Sequence, residues 1–379
     1  EMLRSLVGSE MCIRDRQKAT IPFDGRVQSG VEQPPQAHLE VLGMNLEPSL
    51  DQAAFIELLK DLTATARELT QGNPIPNFLA PEMVAVTANL TITCGFGERI
   101  FDFLGKPELK PEGLHDIPAF KLDQLQERWG QTDLVFQICC DDPGTLFAAG
   151  RLILAKCEGK ATLQWMQKGF TYAYGSAPRG TTPRNPFGQV DGTVNPSTAE
   201  EFSEQVWLDG SGDQAYLDGS TIMVLRRIQN FLDPWELLDR PARERVIGRK
   251  LSDGGPLSGG GEFDEEDMDA VDEAGNFIID RRSHLALSRE HEDDGSDKLR
   301  RRAFAYDDAP EPGQSDLTNS GLVWISFQRN PDYQFTAIQK RLDMHDLLNK
   351  FISHIGSAVY WIVPGTSAET YWGQGLLEK

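Results

Sequence analysis

The chain has 379 residues, enough for two domains, with 39% hydrophobic and 25% charged side chains. Its 37 basic and 58 acidic residues give a formal charge of −21, which opposes non-specific binding to nucleic acid or anionic lipid, since both need basic surface. No apolar run reaches the length of a bilayer span, so membrane insertion is not expected and a small-molecule or protein partner is.

Residues 1–16 are set apart from the fold. Met11-Cys12-Ile13-Arg14-Asp15 reads as the codons ATG TGT ATA AGA GAC, which resemble a transposon-end sequencing adapter, and Leu3–Glu10 fits the same origin. The native start, with any export signal, is then expected to be missing.

From Ala37 to Leu46 the alternation predicts a strand, and Leu50–Leu69 predicts a helix with Phe55, Leu58, Leu59 and Leu62 on one face. Asp51 is its expected cap, and Gln71-Gly72-Asn73-Pro74 its end. Ala88–Phe96 reads as strand, Gly105–Pro118 as a Pro/Gly-rich connection, and Asp133–Cys140 as a second strand that runs through Asp142-Pro143 into a helix reaching about Ala155. Without regular βαβ alternation this grammar predicts an α+β fold with antiparallel sheet. The second half repeats it. Leu134–Pro143 lies on Leu322–Pro331 without a gap at an offset of 188 residues, and the same offset matches Phe147 to Phe335 and Leu154 to Leu342. Two related halves follow, divided within Tyr174–Arg184: an N-terminal half over 17–178 and a C-terminal half over 179–379. The second half opens on a strand at Ser220–Ile228 and carries a long insertion, Gly-rich over Arg249–Glu262 and acidic over Asp264–Glu273. The acidic run is expected to be a solvated loop, because it lacks the spacing of a calcium loop.

Cys94, Cys139, Cys140 and Cys157 form no CxxC pair and read as buried thiols. Six histidines (His38, His115, His284, His291, His345 and His354) include no HExxH motif and no clear metal spacing, which disfavours a zinc hydrolase. His284 stands apart in Asp280-Arg-Arg-Ser-His-Leu-Ala-Leu, beside a strand-like Phe277–Ile279. In Thr182–Pro196, two glycines flank Asp191 and prolines stand at both ends, a stiff loop presenting one carboxylate. Taken singly, each is an ordinary turn or surface residue.

Their joint order is more specific. Phe187-Gly-Gln-Val-Asp-Gly-Thr-Val-Asn-Pro resembles the GxxDG signature of dye-decolourising peroxidases, and Ile21-Pro-Phe-Asp-Gly-Arg-Val-Gln resembles the entry strand of their secreted, deferrochelatase-like branch. Further matches follow in order: Gly219–Ile228, Ile247-Gly-Arg-Lys, Ser283-His284, Leu299–Tyr306, Gln334–Leu342 and Val363…Leu377. The resemblance covers nearly the whole chain from residue 21. It implies two ferredoxin-like halves, antiparallel sheets with flanking helices, of the dimeric α+β barrel-like superfamily. It implies haem b in the second half, with His284 as the iron ligand and a carboxylate behind it. Asp191 would take a proton from hydrogen peroxide and return it to the leaving oxygen. Arg301 would favour O–O cleavage and contact a propionate, while Arg184, Gly192, Thr193 and Val194 would line the cofactor. Two departures stand: Ala286 replaces an arginine common two residues after the histidine, and the run Arg300-Arg301-Arg302 leaves Arg302 as the alternative to Arg301. The implied activity is peroxide reduction coupled to one-electron oxidation of small phenolic or dye-type aromatics, with Trp324, Tyr333, Tyr360, Trp361 and Trp372 as candidate surface electron relays. The alternative is a haem-binding protein of iron acquisition. Secretion or periplasmic export through a twin-arginine signal is implied too, and a homo-oligomer is compatible.

Overall fold

A computed structural model of the chain describes residues 20–75, 81–173, 175–178, 180–289 and 298–379; the adapter-like residues 1–16, Tyr174 at the start of the expected linker, and His291 lie outside them. Among the described residues nine strands form, and β-branched or aromatic side chains occur in all but the two-residue Arg300–Arg301. The first half supplies β1 (His38–Leu46), β2 (Thr91–Phe96), β3 (Leu134–Cys140) and β4 (Ala161–Phe170), paired in the order β2-β3-β1-β4. The second supplies β5 (Thr221–Asn230), β6 (Arg300–Arg301), β7 (Phe304–Asp308), β8 (Asn319–Gln328) and β9 (Ile352–Ile362), in the order β9-β5-β8-β7 with β6 on β8. Every pairing is antiparallel.

Two narrow seams join these sets: Gly95 and Phe96 of β2 against Ile362 and Trp361 of β9, and Phe170 of β4 against Ala305 of β7. Because β5 also pairs with β8 along most of its length, the sheet closes on itself. The result is a mixed α/β fold whose antiparallel sheet forms a barrel-like arrangement. Alternation along each strand sends one set of side chains inward, among them Val41, Val135, Met223, Leu225, Val323, Phe327 and Tyr360, all buried.

Helices cover the outside. Helix α1 (Gln52–Gln71) starts where Asp51 accepts from the Ala54 amide at 2.8 Å and stops at Gly72, whose φ of 69° suits a left-handed cap. Its Phe55, Leu58, Leu59 and Leu62 are fully buried, each contributing roughly 1.5–3 kcal/mol of apolar burial. Helix α2 (Pro143–Cys157) begins with proline in its first turn and Asp142 as cap, as expected. The second half carries α3 (Arg240–Ile247), α4 (His284–Ser288) and α5 (Phe335–His345).

Some expectations differ from the structure. The strand expected from Ala88 starts at Thr91, because Ala88 and Asn89 take positive φ of 42° and 57° and form a turn. Phe277–Ile279 is not a strand; Phe277 makes only an isolated bridge to Val271. The aligned runs do form β3 and β8, but the second helix starts at Phe335 rather than at Pro331. Phe147 is accordingly exposed while its counterpart Phe335 is buried. Among the described residues no helix is long and apolar enough to cross a membrane, and the four described cysteines are free and buried.

Candidate active site

The outer face of the second-half sheet carries Val224, Arg226, Trp324 and Ser326 beside one another, since Val224 pairs with Ser326 and Arg226 with Trp324. Leu322 and Trp324 lie in the middle of β8 with paired strands on both sides, yet they are only half-buried. Helix α4, where Leu285, Ala286 and Leu287 are also half-buried, carries His284 at its first position.

Ser283, fully buried, caps α4 by accepting from the Ala286 amide at 3.3 Å. Gly248, which ends α3 with φ 91°, lets that chain pass Ser283: a Cβ there would stand 2.9 Å from the Ser283 Oγ and from the Leu285 Cβ. The His284 Nδ1 meets the Asp346 Oδ2 at 2.7 Å. Asp346 directly follows α5, and its second oxygen accepts from the Leu348 amide at 2.8 Å. The Leu347 amide donates to the Arg282 carbonyl at 3.0 Å, which ties the two segments together. With one side chain 1% exposed and the other 33%, the carboxylate is sealed and the ring opens outward. Its Nε2 has no protein hydrogen bond among the described residues. Burial is the largest influence on this imidazole and disfavours its charge. The Asp346 carboxylate outweighs that, with a smaller contribution from Asp191, so the pKa lies above the ordinary histidine value.

A second group is built on the Asp191 loop. An isolated bridge between Arg184 and Val190 and a bond from the Asp191 amide to the Pro183 carbonyl (2.8 Å) fold the loop back on itself. Gly192 follows with φ 127°, a backbone state that excludes most side chains. The Asp191 carboxylate accepts from Asn185 Nδ2 at 3.2 Å and from Arg301 Nη1 at 3.5 Å. The Arg301 amide donates to Asn195 Oδ1 at 2.7 Å, and its Nη2 to the Val194 carbonyl at 3.2 Å. Asp191 and Arg301 are each about a quarter exposed, and both lie near enough to His284 to act on it electrostatically.

The arginine run resolves by direction. Arg300 donates to the carbonyls of Val31, Glu32 and Gln33. Arg302, 1% exposed, bonds Gln36 and the Cys139 sulfur on the opposite side. Only Arg301 of the three faces Asp191. Thr193 and the strongly exposed Val194 sit beside this pair. Arg184 is turned elsewhere: its guanidinium donates to the carbonyls of Gly188, Leu251 and Ser252. Of the aromatic relays named from sequence, Tyr360, Trp361 and Trp372 are fully buried, Trp324 packs on Phe335 at 5.2 Å, and Tyr333 is exposed.

Two groups escaped the sequence reading. Asp346 stands 62 residues from His284 with no local signal. Glu262, in the insertion, accepts from both Thr182 and Thr193 and so braces the Asp191 loop. The acidic run that follows is mostly exposed, as expected, but Glu266 turns inward to Arg249 (3.6 Å) and Arg289 (3.4 Å).

A single imidazole backed by a carboxylate, bordered by half-buried apolar side chains, fits an iron already held on four sides by a macrocycle. It does not fit a bare ion, and among the described residues no group of three or more His, Cys, Asp or Glu could hold one. These residues therefore fit haem.

Comparison with known proteins agrees. The N-terminal family model of the Dyp-type peroxidases matches residues 28–171, and the C-terminal one residues 182–367. The chain is 31% identical to a dye-decolorizing peroxidase of Thermobifida fusca, over 93% of this chain and 84% of that protein. It is 28% identical to the deferrochelatase of Escherichia coli, over 94% and 87% respectively. The structure of a DyP-type peroxidase from Cellulomonas bogoriensis superposes with a TM-score of 0.91 at 38% identity, covering 96% of this chain and 99% of that one. The chain belongs to the Dyp-type peroxidase family.

Proposed function

We propose that the chain is a haem peroxidase that reduces hydrogen peroxide and oxidises phenolic and dye-type substrates in one-electron steps. One observation carries the reading: a carboxylate-backed imidazole, His284–Asp346, lies within electrostatic reach of a carboxylate–guanidinium pair, Asp191–Arg301. Haem supplies the redox chemistry when bound; the side chains hold it and move protons. His284 Nε2 is the free nitrogen for the iron, and Asp346 fixes the ring by accepting from Nδ1–H. Asp191 takes one proton from peroxide and returns it to the departing oxygen, which leaves as water. Arg301 holds a fixed positive charge where negative charge develops as the O–O bond breaks. Overall, one peroxide and two phenols give two waters and two phenoxyl radicals. Gly192, Thr193 and Val194 border the cofactor.

Purified holoprotein is expected to show a Soret band that is lost in His284→Ala, and peroxide turnover that is lost in Asp191→Asn with the band retained. A Soret band unchanged in His284→Ala refutes the ligand assignment. The relatives named deferrochelatase favour a second reading, release of iron or haem in iron acquisition; it predicts ready haem loss and no turnover at any pH.

The strand orders β4-β1-β3-β2 and β9-β5-β8-β7 support the finer reading of two ferredoxin-like halves, 17–178 and 179–379, with haem in the second. Export through a twin-arginine signal, to the periplasm or outside, belongs to the same proposal. It is tested by expressing the gene from its own locus in the source organism and following the product in cell fractions.

A further inference from the structure

A recess lies beside the Asp191 loop, lined in part by Asn185 and Pro186. It is a cleft of about 370 Å³ at the open ends of β7 and β8. None of His284, Asp191 or Arg301 lines it. Asn185 does, and the same Asn185 side chain donates to Asp191 at 3.2 Å, so one residue separates the cleft from the proton-handling carboxylate.

The cleft lining combines two chemistries. Phe170, Leu232 and Leu317 are apolar, and Leu317, 77% exposed, and Phe170, 45% exposed, leave their faces open to a ligand. Asp233, Glu236 and Asp307 add three carboxylates. Asp307 is held by the Ser320 hydroxyl (2.6 Å) and Asp233 by the Leu317 amide (3.3 Å), both neutral donors. The one guanidinium in the lining, Arg184, spends its N–H groups on three backbone carbonyls. An aromatic ring has apolar area to cover there, and a positive charge has partners, whereas an anion has only Arg184.

We propose that this cleft docks the electron donor and selects phenols that carry a positive charge over anionic ones. The inference rests on the peroxidase reading and adds a substrate class to it. The ring lies against Phe170 and Leu317, and the cationic arm reaches Asp233, Glu236 and Asp307. Each docked phenol loses one electron and its hydroxyl proton to become a phenoxyl radical. Two of them supply the two electrons and two protons that turn one hydrogen peroxide into two waters. The overall charge of −21 draws the same class of donor toward the protein.

Tyramine and 3-(4-hydroxyphenyl)propanoate share one phenol and carry opposite charges, so their ratio isolates the electrostatic part. With holoprotein and peroxide, kcat/KM is expected to favour tyramine by about fivefold or more at low salt, as two or three half-exposed charge contacts allow, and the preference should shrink in 0.5 M salt. Glu236→Gln combined with Asp307→Asn, both isosteric at open positions, should bring the ratio close to one. Replacing both with lysine should invert it. Calorimetric titration of tyramine into the holoprotein without peroxide gives a readout independent of turnover, and the double variant should bind at least fivefold more weakly. Equal preference for the two phenols, or a preference that survives both pairs of substitutions, overturns the proposal. If neither phenol is oxidised, the peroxidase reading fails instead, and the calorimetric loss of tyramine binding in the double variant still decides the cleft.

Discussion

Acid should weaken this protein through His354, and the size of the effect follows from its surroundings. His354 lies on β9, 3% exposed, and its Nδ1 accepts from the Arg226 Nε at 3.4 Å. Arg226 is itself fully buried, held by Asp123 and by the Ser357 hydroxyl at 3.0 Å. Burial, and then the neighbouring guanidinium charge, push the His354 pKa from 6.5 down to about 3. The folded protein therefore keeps this ring neutral while an unfolded chain takes up a proton below pH 6.5. Stability from this site is complete above that value and falls as pH drops, levelling off near pH 3. At pH 4.5, two units below the unfolded value, the loss is about 3 kcal/mol, a large part of a typical folding free energy. His354→Asn places an amide oxygen where Nδ1 accepts and removes the titration. Urea denaturation of both proteins at pH 7 and pH 4.5 measures the difference. At pH 7 the variant should be the less stable, through lost packing, and by pH 4.5 the gap should move in its favour by ~2–3 kcal/mol. A gap constant within ~0.5 kcal/mol between the two pH values would refute the reasoning.

Three other substitutions separate structural from chemical roles. Asp346→Asn keeps the shape but not the charge behind His284, so haem should be lost to excess apomyoglobin with about 10–100-fold weaker retention; unchanged transfer kinetics would count against the pairing. Arg301→Lys should lower peroxide kcat/KM while leaving urea midpoints near wild type. Arg302→Lys, at a buried site bonded to Gln36 and Cys139, should instead cost stability, about 1–3 kcal/mol; the opposite pattern would mean that Arg302, not Arg301, assists O–O cleavage. Glu262→Ala releases Thr182 and Thr193 and should reduce turnover without weakening tyramine binding in the neighbouring cleft, measured by steady-state rates and calorimetry.

How much of this was legible from the residues depends on distance along the chain. The helix starting after Asp51 and ending at Gly72 was legible because cap and periodicity are local. The Asp191 loop was legible too, since its glycines and prolines lie within a few residues of the carboxylate. The start of β2 was not, because Ala88 and Asn89 adopt positive φ without the glycine that announces it. Closure of the sheet was illegible for a different reason: it depends on β5 meeting both β8 and β9, and on seams of one or two residue pairs that leave no pattern.

The same rule governs the site. Direction along a strand decides which arginine meets Asp191, and a run of three identical residues hides it. Once β6 pairs Arg301 with Ser326, its side chain shares the outer face with Trp324, while Arg300 and Arg302 take partners from the N-terminal segment over Val31–Gln36. Asp346 reaches His284 only because α5 ends beside α4, with the Leu347 amide on the Arg282 carbonyl. Glu262 ends a Gly-rich stretch that carries no local signal for a partner, yet it closes on Thr193. The sequence motifs thus name the side chains of the proposed site, whereas the groups that hold them come from segments tens of residues away. A variant at Asp346 or Glu262 therefore tests the fold's contribution to the chemistry more directly than one at His284 or Asp191, because it leaves the reacting atoms in place and changes only what positions them.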